Sequence, residues 1–119
     1  MRFQGIYRLV WFFILIFLVT FAADCPVDAA NRAKETFYKA ESAYKSLKSN
    51  KSKRKYRDKW LQVIDLFEDA HGVNPNGPWA AAGLYRAGEI YWELYRYSGR
   101  TADLDDAVER FRRIVQRYP

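Results

Sequence analysis

The sequence predicts an all-α protein: two antiparallel helical hairpins placed after an N-terminal signal or anchor helix. Three observations predict it. Beyond Pro26 the apolar residues recur at three- and four-residue intervals and not in strand-like alternation. A polar run with Ser46, Ser49, Asn50 and Ser52, then Gly72 to Pro78, and then Gly99 divide this part of the chain into four helical stretches. Half of the 119 residues are apolar and 18% are aromatic, enough for a packed core and incompatible with global disorder.

The first element is 1–23. Arg2 and Arg8 precede fifteen uncharged residues, Leu9 to Ala23. A basic start before an apolar run of this length has the organisation of an export signal. A spanning helix usually takes about 18 residues or more, so a cleaved signal peptide is expected over an uncleaved signal anchor. Cys25 beside this segment reads as a lone thiol near a processing site, since Asp24 stands where lipid attachment wants a small residue. The expected location is the periplasm or cell envelope. The membrane is met only through this segment, and nucleic acid is excluded as a routine partner.

The region 29–119 carries the fold. A first helix from Ala29 to about Leu47 sets Ala33, Phe37, Ala40 and Tyr44 on one face. A second, from about Lys55 to Ala70, repeats the rhythm with Trp60, Val63, Ile64 and Phe67; Gly72 is expected to end it and Pro75 to forbid its resumption. The third starts near Pro78, where a missing N–H costs nothing, and Gly99 closes it. Its stripe is Leu84, Ala87, Gly88, Tyr91, Leu94 and Tyr95. The fourth, capped by Thr101 or Asp103, carries Leu104, Ala107, Val108, Phe111, Ile114, Val115 and Tyr118, with Asp106–Arg110 and Glu109–Arg113 as four-apart ion pairs. Residues 46–54 and 95–102 are expected to lie between helices. More apolar surface lies along this last helix than one preceding helix can cover, so the chain is expected to associate or to belong to a longer protein.

The two halves match in register. Phe37, Ala40 and Tyr44 recur 47 residues on as Leu84, Ala87 and Tyr91, and Val63, Phe67 and Ala70 recur 44 residues on as Ala107, Phe111 and Ile114. This pattern, with Gly88 and Pro119, resembles the tetratricopeptide repeat, with repeat 1 at about 29–75 and repeat 2 at about 78–119. Each unit is longer than the usual 34 residues or so. The stretches Lys55–Trp60, Leu84–Gly88, Tyr95–Arg100 and Ala102–Pro119 are also similar to the non-catalytic N-terminal helical region of exported bacterial N-acetylmuramoyl-L-alanine amidase precursors. That resemblance implies scaffolding or targeting of cell-wall machinery. It offers as its enzyme alternative the N-terminal part of a zinc-dependent amidase, none of whose zinc ligands or catalytic Glu maps onto this chain.

Catalytic candidates are scarce. One Cys and one His supply neither a nucleophile–base pair nor a metal cluster. Asp105–Asp106 and Glu68–Asp69 are adjacent on a helix and diverge by about 100°. No glycine-rich phosphate loop occurs, and no cofactor is expected. His71 is expected at a helix C-terminus, where a cation suits the last carbonyls. Residues 45–59 hold eight Lys or Arg against Asp58 alone, a local charge of +7. Within them Lys51, Lys53, Arg54 and Lys55 are candidate contacts for peptidoglycan or another anionic wall polymer, against the plainer reading of a solvated loop with Arg57 and Lys59 on the wet side of the next helix. In the run Tyr91–Tyr97, burial within the array is expected for most rings. Tyr85 and Trp92 lie off the core face and are candidate contacts for an envelope protein or for further helical repeats.

Overall fold

The computed structural model describes residues 26–119, so the signal or anchor segment and Cys25 lie outside the described residues. The described chain is all-helical: α1 (Pro26–Ser49), α2 (Arg57–Val73), α3 (Pro78–Ser98) and α4 (Thr101–Arg117), with a 3-10 turn at Lys53–Lys55. No helix among the described residues is long and apolar enough to cross a membrane.

Spacing explains each element. In α1, Ala33, Ala40 and Leu47 are buried seven residues apart, and Phe37 and Tyr44 pack beside them. In α2 the buried set is Trp60, Val63, Ile64, Phe67 and Ala70. The α3 helix is buried on two sides, through Ala80, Gly83, Leu84, Ala87, Gly88, Ile90, Tyr91 and Leu94. It is the hub, touching α1, α2 and α4, whereas among the described elements α4 packs its backbone against α3 alone. Only Asp103 and Ala107 are buried in α4.

The chain reverses at each connection. Tyr97 at the end of α3 lies 5.3 Å from Trp60 at the start of α2, while Gly83 sits over Phe67 and Ala70. A Cβ at Gly83 would drive into the Phe67 carbonyl oxygen, so glycine is what lets α3 approach α2 this closely. The α2 and α4 helices run alongside each other. Arg57 meets Asp103 at their starts, and the Tyr118 hydroxyl donates to the Pro75 carbonyl at their ends.

Helix ends correct several expectations. Gly99 does close α3, at φ 66°, with its N–H donating to the Tyr95 carbonyl at 2.8 Å. Gly72 does not close α2. The helix runs through it to Val73, because the turn is made by Asn74 to Gly77, where the Gly77 N–H donates to the Asn74 carbonyl. Neither Thr101 nor Asp103 caps α4; Thr101 is already helical and Arg100 holds the cap position. The helices also grow into both expected loops, leaving 50–56 and 99–100 as connectors.

Candidate functional site

The basic loop divides into paired and unpaired charge. Lys48 donates to Glu93 on α3, and Arg57 to Asp103 on α4 at 2.5 Å. Lys59 lies 3.8 Å from Asp58. Arg57 is thus only in part on a wet helix face: a third of its side chain stays exposed, while a buried carboxylate holds its guanidinium. Lys51, Lys53 and Lys55 remain exposed in the 3-10 turn and its flank. Arg54 is half-buried: its carbonyl accepts the Trp60 indole N–H at 2.9 Å and fixes the turn to α2, while its Nε has no partner.

Asp103 is the residue that sequence reasoning missed. A carboxylate three positions into a helix reads as a cap, yet this one is 0% exposed. It accepts from Arg57 and from the Ser98 hydroxyl at 2.7 Å, and Ser98 Oγ in turn accepts the Arg100 N–H at 3.1 Å. The hydrogen bond from Arg57 holds the Asp103 carboxyl below the usual carboxylate range, against the opposing effect of burial. This ties the start of α2 to the α3–α4 corner.

The α1–α3 junction is polar. Glu93 accepts from the Tyr44 hydroxyl at 2.6 Å and from Lys48. Burial, then the Glu93 hydrogen bond and charge, push the Tyr44 hydroxyl far up. The Arg86 guanidinium bridges Glu41 at 2.6 Å and Glu89 at 2.7 Å, 4.9 Å from the Tyr44 ring centre and 5.5 Å from that of Phe67. Arg110 repeats the device between α4 and α2, pairing with Glu68 at 2.6 Å over the Tyr91 ring. The four-apart pairs Asp106–Arg110 and Glu109–Arg113 form at 3.3 and 2.7 Å.

His71 is a further correction. It does stand in the last turn of α2, two residues before the helix ends, yet it is not held there as a cation: burial, with Arg117 and Arg113 nearby, pushes its pKa below the ordinary value and favours the neutral form. On the opposite flank of α2, burial followed by Glu68 and Asp69 pushes the Asp65 carboxyl up. Among the described residues no group of His, Cys, Asp and Glu is placed to hold a metal ion.

The two helix pairs present unlike faces. On α1–α2, residues Ile64, Phe67 and Ala70 are fully covered, between α1 on one side and α3 on the other. The register equivalents on α4 are Val108, Phe111 and Ile114, and Val108 is 45% exposed while the other two are only partly covered. Val115, one turn on, is 74% exposed. Across from them on α3 stand Tyr85, 51% exposed and 5.8 Å from Phe111, and Trp92, 48% exposed, which shares an open cleft with Phe111, Glu89 and Arg96. The structure therefore leaves these two rings accessible while it buries Tyr91. Trp60 and Trp79 serve packing, the latter against Phe37 at 5.2 Å and Tyr38 at 5.6 Å. Tyr85 and Trp92 share this face; the lysines of the 3-10 turn stand at the α1–α2 connection and are not brought to it.

Comparison of the chain with protein-family models, with curated proteins and with solved structures finds no match.

Proposed function

We propose that this chain is an exported helical-repeat module of the bacterial cell envelope that docks other proteins and so scaffolds or targets cell-wall machinery. One observation carries the reading. The face that α1–α2 covers with α3 has a counterpart on α3–α4 that stays open, with Tyr85, Trp92, Val108 and Val115 aligned along it. Stacked hairpins bury such a face against the next unit. A surface of the same construction left open is a place for a helix to dock. In this reading 29–75 and 78–119 are two elongated tetratricopeptide-like repeats, and the N-terminal basic and apolar segment delivers them out of the cytosol.

A photo-crosslinking residue placed at Trp92 or Val115, in cells, tests the docking. Adducts in the envelope fraction are expected from both positions and not from Tyr56, which is equally exposed but lies on the α1–α2 connection. Absence of adducts from positions 92 and 115 refutes the docking face. A reporter active only outside the cytosol, fused after Pro119, tests the export, and silence of that reporter refutes it.

A second reading attaches to Lys51, Lys53 and Lys55, which are exposed and pair with no acid among the described residues. They would hold an anionic wall polymer by charge alone. Retention on isolated wall sacculi should then fall steeply between 50 and 300 mM salt, on the order of the screening expected from a Debye length of about 8–10 Å, and vanish when the three become Glu. The enzyme alternative, that this is the targeting region of an amidase precursor, rests on the sequence likeness; a zinc-hydrolase pattern in the reading frame downstream of the codon for Pro119 would favour it over the docking module.

A further inference from the structure

We infer that the open α3–α4 face is closed by a second copy of this chain, with α4 packed antiparallel against its counterpart around a two-fold axis. The inference rests on the docking reading above and names the occupant. Leu104, Val108, Phe111 and Val115 follow one another at spacings of four, three and four, which draws a single apolar seam along α4. Tyr85 and Trp92 border that seam on its α3 side.

Charge selects the partner. Beside the seam lie Asp105 and Arg112, both exposed, and among the described residues neither has an ion-pair partner. The neighbouring charges are already engaged: Arg110 by Glu68, Asp106 and Glu109, and Arg113 by Glu109. Seven residues are two helical turns, about 10.5 Å, so Asp105 and Arg112 project from the same side of the helix. An antiparallel copy centred near Val108 and Glu109 sets Asp105 against Arg112 of the second copy, and does so twice. A parallel copy would carry the two charges of one chain and those of the other to opposite sides of the seam and leave all four unpaired. Self-complementarity of this kind is what a two-fold interface requires.

Head-to-tail stacking, in which α1 of another copy takes the place over α3–α4 that α3 takes over α1–α2, meets an obstacle in the register. Thr36 stands in α1 where α3 has Gly83, and at that position even a bare Cβ collides with a backbone carbonyl. A closed pair is therefore favoured over an open filament.

The test uses two differently tagged full-length copies, co-expressed and recovered in mild detergent. Wild-type copies should co-purify. Two copies of Asp105→Arg, or two of Arg112→Asp, should lose at least tenfold in recovery, because each interface then holds two like-charge contacts. Asp105→Arg with Arg112→Asp should regain wild-type recovery within about twofold, which also shows that both variants fold. Failure of the wild-type copies to co-purify, unchanged recovery with the single reversals, or no rescue by the mixed pair would each overturn the dimer. If crosslinks from positions 92 and 115 then lead to a different protein, only the occupant is wrong; if there are no crosslinks either, the docking reading falls with it.

Discussion

The α1–α2 pair and the α3–α4 pair share a register yet meet opposite fates. Ile64 and Val108 stand at equivalent positions, and one is sealed while the other is nearly half open. What differs is not the helix but the neighbour: α3 lies over the first pair, and no described element lies over the second. The same pattern of residues thus acts as core in one place and as surface in the other.

The largest expected effect sharpens this contrast directly. Ile64→Ala should cost about 2–5 kcal/mol in urea unfolding, the range for truncating a fully buried aliphatic. Val108→Ala should stay within about 0.5 kcal/mol in the separated chain. Equal costs at the two sites would break the comparison.

Next in size is the tie between the pairs. Arg57→Ala leaves the buried Asp103 with Ser98 alone and should destabilise by about 3 kcal/mol. The pH dependence follows from the same group. Its folded pKa is depressed, so its stabilisation is complete above the unfolded value of about 3.9 and is lost as pH falls through the folded value. Acid unfolding of Arg57→Ala should therefore begin at higher pH than that of wild type.

Two glycines give smaller and opposite effects. Gly83→Ala should destabilise by about 1–3 kcal/mol, since α3 must lift off α2. Gly72→Ala meets open space inside a helix and should stabilise by about 0.4–1 kcal/mol. A thermal melt of the two variants reads both signs. Smallest is His71, which titrates below its ordinary 6.5. Stability from its neutral ring is present above pH 6.5 and lost as pH falls through the lowered folded value; His71→Gln should flatten that slope, and NMR titration should give a midpoint under 6.5.

Much of this was legible in the chain. Ala33, Ala40 and Tyr44 announced a helix face because burial follows spacing, and Pro78 and Gly99 marked the bounds of α3 because each has a conformational reason to sit there. The excess of apolar surface on the last helix was also readable, from Leu104 to Val115. What the residues concealed were contacts made across forty or more positions. Asp103 looked like a cap because nothing local betrays Arg57, and Lys48 looked like part of a solvated run because Glu93 lies 45 residues away. The expected stop at Gly72 failed because a glycine permits a left-handed turn without compelling one.

The polar character of the α1–α3 seam has a mechanical consequence. Side chains such as Arg86 and Glu93 span it and backbone approach is slight, whereas α2 meets α3 along a closely fitted glycine contact. Parting α1 from α3 would therefore expose charged groups that water can solvate, whereas parting α2 from α3 would open a fitted apolar contact that water cannot replace.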